Sequence, residues 1–214
     1  MYETVLFDLD GTLTDPGLGI TNSAMYAMKK FGVEVADRHE LDWFVGPPLR
    51  QSFMRALNLD EEGAAVAVEY YREYYRDQMG MLENEVYAGI EDVLKALREK
   101  GKRLAVATSK PEVFAVQILE HFGLAKYFEV IAGDTLDFQR NTKADVIANA
   151  LERMGITDRS SVIMVGDREH DVIGAKAQGL KCIGVLYGYG NRDKLEAAGA
   201  AYIAEGVMDI LQYA

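Results

Sequence analysis

The chain has 214 residues, 49% of them hydrophobic, which suits one globular domain, or one domain with an inserted module, built on a buried core. Its 34 Asp and Glu against 23 Lys and Arg give a formal net charge of -11. That balance argues against a nucleic-acid polymer as the partner, since phosphate backbones are met by basic surfaces. It is compatible with a small phosphorylated ligand held by a metal ion and one or two cations.

From the amino end, residues 4–9 read as a buried strand. The apolar run Val5-Leu6-Phe7 is too short for a secretory leader and has no basic flank before it. Nowhere do apolar residues run to the roughly 18 that a membrane span needs. A soluble cytoplasmic protein without membrane contact is expected. Residues 15–84 carry no strand pattern; they read as helices near 20–31, 38–43, 49–57 and 62–79, interrupted at Gly46-Pro47-Pro48. From residue 89 onward, helices and strands alternate. The order is helix 89–100 stopped by Gly101, strand 103–108, helix 112–122 opened by Pro111 and closed by Gly123, strand 128–132 and helix 143–154. Strand 161–165, helix 170–178, strand 181–185, a strand near 201–203 and a short helix near 207–211 complete the chain. Such alternation implies an α/β fold, a doubly wound and mostly parallel sheet with helices on both faces. The expected division is a core of residues 1–14 and 85–214 with a helical module, 15–84, inserted after the first strand. Cys182, the one cysteine, forms no internal disulfide and reads as a buried apolar residue in a strand.

Asp8 and Asp10 follow the first strand two residues apart, so both side chains project to one side at its carboxyl end. Ligands bind at that end in open α/β sheets. Two carboxylates there repel, which invites a divalent cation. Gly11 allows a sharp turn, and Thr12 offers a hydroxyl and an N–H. The plainer reading is a strand-to-turn junction with capping carboxylates. Asp167 stands at the end of strand 161–165, and Asp171 begins the next helix, where it is either a cap or a site residue. Thr108 and Ser109 lie at a strand-to-helix junction, where hydroxyl and N–H groups can receive an oxyanion. Lys143 opens a helix, against the helix dipole, so it asks for a phosphate or carboxylate partner unless it is simply solvated.

Taken in order, Asp8-Leu9-Asp10-Gly11-Thr12, the strand ending in Thr108, Lys143, and Gly166-Asp167 with Asp171 resemble the four motifs of the haloacid dehalogenase superfamily, over essentially the whole chain. The first and fourth motifs are specific; the second and third gain weight from order and spacing. The resemblance implies a Rossmann-like core, with residues 15–84 as a mobile cap. Phe44-Val45-Gly46-Pro47-Pro48-Leu49 and Thr108-Ser109-Lys110-Pro111 are similar to the phosphoglycolate phosphatase and 5′-nucleotidase-like branch. Arg168 departs from the small hydroxyl residue that many relatives carry there.

The function so implied is Mg2+-dependent hydrolysis of a small phosphorylated metabolite, phosphoglycolate or a nucleoside 5′-monophosphate. Asp8 would be the nucleophile and Asp10 the acid and base. Mg2+ would sit between the Asp8 carboxylate, the Asp10 carbonyl and Asp167. Thr108, Ser109 and Lys143, with Gly11 and Thr12, would hold the phosphate, and Asp171 would orient Lys143 or a metal-bound water. In the cap, Arg50 either pairs with an anionic leaving group or is solvated. Trp43 and Phe44 stack on substrate or pack in the core. Tyr70, Tyr71, Tyr74 and Tyr75 form cap core or the contact of a homodimer, a monomer being the other expectation. Gly188-Tyr189-Gly190 is a plain turn or a rim of the site, and His170 is exposed or peripheral. The rivals are a sugar-phosphate mutase, a 2-haloacid dehalogenase, which typically lacks the second aspartate, and a non-catalytic binding protein.

Overall fold

The computed structural model describes residues 2–135 and 142–214. They divide into two compact units, one of residues 1–15 and 86–214 and one of residues 16–85. Along the chain run β1 (Thr4–Phe7), β2 (Thr14–Asp15), α1 (Gly17–Lys30), α2 (Leu49–Leu57), α3 (Glu61–Arg72), β3 (Glu85–Val86), α4 (Ile90–Glu99), β4 (Arg103–Pro111) and α5 (Glu112–His121). There follow β5 (Val130–Asp134), α6 (Lys143–Arg153), β6 (Val162–Gly166), α7 (Glu169–Ala177), β7 (Lys181–Val185), α8 (Arg192–Ala198), β8 (Tyr202–Ala204) and α9 (Ile210–Tyr213). No helix among the described residues is long and apolar enough to cross a membrane.

The larger unit is built on a six-stranded sheet of order β5-β4-β1-β6-β7-β8, parallel at every pairing. β1 is central and wholly buried because Thr4-Val5-Leu6-Phe7 has helices to cover on both faces. Register makes the core: Leu6 lies opposite both Ala105 and Met164. These residues join Val146, Ile147 and Ala150 of α6, Val172 and Ala175 of α7, Cys182 and Leu195 in one apolar cluster. Strand order reverses at β1, with β4 on one side and β6 on the other. The carboxyl ends of these three strands therefore meet at a topological switch point, where this class of sheet holds its ligands.

Several boundaries differ from the sequence reading. β4 runs on to Pro111, with a register irregularity against β5 after Ala107; Pro111 disfavours helix in the residue before it. The fifth strand begins at Val130, after a turn of 3-10 helix over Ala125–Tyr127. α8 was not foreseen. It has a single buried apolar anchor, Leu195, and its signals are the Asn191 cap, which accepts from the Lys194 N–H, and Gly199 in the left-handed region at φ 93.

The smaller unit is helical. Arg38–Phe44 is 3-10 helix, capped by the Asp37 carboxylate on the His39 N–H. The helix expected over 62–79 divides into α3 and a π-helical turn, Glu73–Asp77. Phe44, Phe53, Tyr71 and Tyr75 form a chain of ring contacts with centroids 5.1, 6.2 and 5.3 Å apart. Tyr70 packs on Phe31 and Tyr74 on Tyr26. All four tyrosines thus have partners inside the unit. Phe44 is core, whereas Trp43 lies half-buried under the Arg55 guanidinium at 4.7 Å.

Leu6 is fully buried in the apolar cluster, so Leu6→Ala should cost about 3 kcal/mol of unfolding free energy in urea titrations; a loss under about 1 kcal/mol would contradict this packing.

Candidate active site

The Asp8 N–H extends the β1–β6 ladder to the Val165 carbonyl at 2.9 Å, so the backbone fixes this buried residue. Its Oδ1 accepts from the Leu9 N–H at 2.7 Å and pairs with Lys143 Nζ at 2.9 Å. The chain then folds back, with Gly11 at φ 80 and its N–H donating to the Thr14 carbonyl at 2.8 Å. A side chain at Gly11 would strike the Asp167 carboxylate. Thr12 is spent on this turn: its N–H donates to the Leu9 carbonyl at 3.2 Å and its side chain is fully buried. The Thr12 hydroxyl, named in the sequence reading as a phosphate contact, is buried without a hydrogen-bond partner among the described residues.

Lys143 is the first residue of α6, positioned by the Thr142 cap, whose hydroxyl accepts from the Asp145 N–H. Its buried ammonium has three oxygen partners: Ala107 O at 3.2 Å, Asp8 Oδ1 at 2.9 Å and Asp171 Oδ1 at 2.8 Å. Burial opposes its charge, but Asp171 and Asp8 outweigh burial and hold it charged above the usual lysine range. The two oxygens of Asp171 bond in different directions. One oxygen accepts the Arg168 N–H at 3.0 Å and caps α7, and the other meets Lys143. Two glycines make room for this pair: a side chain at Gly166 would collide with Asp171, and one at Gly174 with Lys143.

Asp8, Asp167 and Asp171 offer oxygens that all lie within 4.8 Å of one another. The third carboxylate of this cluster is Asp171; the Asp10 carboxylate turns instead to Lys110 Nζ, at 3.1 Å. Asp167 Oδ2 accepts the Tyr189 N–H at 2.8 Å, while Oδ1 is buried without a hydrogen-bond partner among the described residues. Four carboxylates, when ionised, face two ammonium groups, an excess of two negative charges. An all-oxygen donor set with that excess and an orphaned oxygen fits a hard divalent cation such as Mg2+.

Burial and the charges of Asp171 and Asp8 push the Asp167 carboxyl up to about 8. Burial raises Asp171 to about 6 against the pull of Lys143. Asp10 is raised as well, chiefly by burial, with Lys110 opposing. Thr108 is buried, its Oγ1 accepting the Lys110 N–H at 3.2 Å, and Ser109 is exposed beside it. Arg50, exposed in the first turn of α2, belongs to the helical unit and not to this cluster.

Lys110 was not expected in the site, though a lysine at the end of a buried strand is itself a signal. The Gly188-Tyr189-Gly190 segment, read as a turn or a rim of the site, lies beside the aspartate turns. Side chains at Gly188 and Gly190 would strike Gly11 O and Asp167 O, so the loop lies flush against both aspartate-bearing turns. Tyr187 alongside donates its hydroxyl to Thr12 O at 2.9 Å and meets the Tyr87 ring at 5.0 Å.

A family model described as haloacid dehalogenase-like hydrolase matches residues 5–185. A 5′-nucleotidase of Pseudomonas aeruginosa is 45% identical over 196 residues, 92% of this chain and 88% of that one. The tyrosine-protein kinase PtkA of Mycobacterium tuberculosis is 42% identical over 91% of this chain, which spans 65% of its length. A crystal structure of a predicted phosphatase from Clostridium acetobutylicum superimposes with a TM-score of 0.91 at 52% identity, covering 99% of this chain and 97% of the other.

Because Asp167 holds a proton in the folded chain up to about pH 8 and an unfolded aspartate loses it near 3.9, its contribution to stability is present at low pH and lost as pH rises through about 8. Chelated protein should therefore melt at a lower temperature at about pH 9 than at about pH 6, and Mg2+ should remove most of that drop. A flat profile without metal would contradict the protonated cluster.

Proposed function

The chain belongs to the haloacid dehalogenase-like hydrolase family, among its phosphatases, and from that premise we propose that it is a Mg2+-dependent phosphomonoesterase working through an aspartyl phosphate on Asp8. The observation that carries this reading is the carboxylate of Asp8, fixed at the end of the central strand by Lys143 at 2.9 Å, with Asp10 two residues on. We assign a nucleoside 5′-monophosphate or phosphoglycolate as substrate class, the former favoured by the resemblance to a 5′-nucleotidase. A cytoplasmic monomer or homodimer is the form assigned to it.

Both bonds that orient Asp8 fall on Oδ1, so Oδ2 is the oxygen we assign to attack phosphorus. The bond from phosphorus to the ester oxygen breaks as the new bond to Asp8 forms. Asp10 gives its proton to the departing alkoxide, which suits a carboxyl that burial has raised. It then takes a proton from the water that attacks the acyl phosphate, returning Asp8 and releasing inorganic phosphate. Lys143, the Thr108 hydroxyl and the Ser109 N–H receive the remaining phosphoryl oxygens. Asp8 and Asp167, with the Asp10 carbonyl, would hold Mg2+, which when bound neutralises charge on the phosphoryl group. Asp171 keeps Lys143 in place. The unit of residues 16–85 is assigned the part of a lid that selects the leaving group, with Arg50 its candidate anion contact.

Asp8→Asn should lower kcat for p-nitrophenyl phosphate by at least about a thousandfold without unfolding the chain, and retained turnover would remove Asp8 as nucleophile. Asp10→Asn should cost about a hundredfold or more with an alkyl phosphate but far less with p-nitrophenyl phosphate, whose leaving group needs no proton. Equal losses on both would take the acid role from Asp10. EDTA should silence the enzyme, and Mg2+ restore it. In a metabolite-wide screen for released phosphate, a phosphorylated isomer without free phosphate would favour a mutase, chloride from a 2-haloacid a dehalogenase, and label moving from ATP to tyrosine a kinase-like transfer.

A further inference from the structure

The loop after β7 makes three anchoring bonds through one residue. The Tyr189 N–H donates to Asp167 Oδ2 at 2.8 Å, the Tyr189 carbonyl accepts from the Arg168 guanidinium at 3.0 Å, and the Tyr189 hydroxyl donates to the Asp15 carboxylate. Gly188 and Gly190 flank it and have no side chains with which to hold the loop. Each lies so close to the aspartate turns that a Cβ would collide, with Gly11 O in one case and Asp167 O in the other. Glycines give the loop freedom as well as closeness, so its conformation is set by its anchors. A side-chain anchor at its centre is the Tyr189 hydroxyl, and Tyr187 beside it donates to Thr12 O.

What the loop holds is the rotation of Asp167. With Oδ2 taken by the Tyr189 N–H, Oδ1 is buried and without a hydrogen-bond partner among the described residues, and Asp167 belongs to the acidic group formed with Asp8 and Asp171. Asp15 closes the arrangement from the other side. It ends β2, directly after the turn that carries Asp8, Asp10 and Gly11, and it is the last residue of the larger unit before the chain leaves it. Tyr189 therefore spans the two segments whose carboxylates must converge on a cation.

We propose that Tyr189 is a positioning residue for the metal centre: its hydroxyl bond to Asp15 holds the loop so that its N–H fixes Asp167 with one oxygen free for a divalent cation. The inference rests on the proposed metal site. Partners beyond the ligands themselves orient ligating carboxylates, and their loss typically costs about tenfold to a hundredfold in metal affinity.

The test is a titration of the full-length chain with Mn2+, followed by electron paramagnetic resonance, for wild type, Tyr189→Phe, Asp15→Ala and the double variant. Tyr189→Phe removes only the hydroxyl. It should weaken Mn2+ binding roughly tenfold, with the melting temperature of the chelated protein nearly unchanged. The double variant should bind no more weakly than the poorer single one, because both changes break the same bond. Wild-type Mn2+ affinity in Tyr189→Phe would overturn the proposal while leaving the metal site standing, and so would a loss of metal-free stability with affinity intact. Failure of the wild-type chain to bind Mn2+ would overturn the metal site and this inference with it.

Discussion

The ammonium of Lys143 is buried between two carboxylates, 2.9 Å from Asp8 and 2.8 Å from Asp171, and the arrangement of the site follows from it. A buried lysine without partners would lose its proton, and buried carboxylates without partners would keep theirs. Here Asp171 and Asp8 outweigh burial and hold the Lys143 ammonium charged, and the pairing orients the Asp8 carboxylate. Removing Lys143 would leave two buried carboxylates without their cation, and breaking a buried pair in that way is far more damaging than breaking one on the surface. The local fold serves that contact. Gly166 and Gly174 are bare so that Asp171 and Lys143 can approach, and the Thr142 cap starts α6 at the residue that carries the ammonium.

Why these groups meet at all is a matter of topology. β1 lies between β4 and β6, so residues near 8, 108 and 167, distant in the chain, emerge side by side. A parallel sheet buried on both faces needs uninterrupted apolar strands. Polar residues at strand ends therefore stand out in the sequence. Asp8, Asp10, Thr108 and Asp167 were legible as candidates for that reason, and Asp171 as a carboxylate at a helix start; the alternation of elements and most of their positions were legible too. Lys143 was legible because a cation at a helix start is unfavourable unless something compensates it.

What was not legible depended on contacts that no local pattern encodes. Lys110 reads as one more residue of a Thr-Ser-Lys-Pro junction until the fold sets it 3.1 Å from Asp10. The two glycines around Tyr189 look like a turn, and only the packed structure reveals that any side chain there would enter the aspartate turns. Thr12 was hidden in the same way. Its residue type suits a phosphate, but the tight fold from Leu9 to Thr14 takes its N–H and buries its hydroxyl. α8 escaped because one apolar anchor, Leu195, gives no periodicity to detect.

The two aspartates of the first turn share a strand end but not an environment, and the difference separates their chemistry. Asp8 is held by a lysine that also binds Asp171, deep in the cluster with Asp167. Asp10 is half-buried and faces a lysine of its own, Lys110, on the strand that carries Thr108. The nucleophilic role proposed for Asp8 asks for a carboxylate held in one place, and its two bonds to Oδ1 supply that. An acid that later becomes a base must accept either protonation state. Burial favours the neutral form of Asp10 and Lys110 the charged one, with burial the larger effect. Differing surroundings can divide two carboxylates between roles, and the division proposed for Asp8 and Asp10 rests on which lysine each one meets.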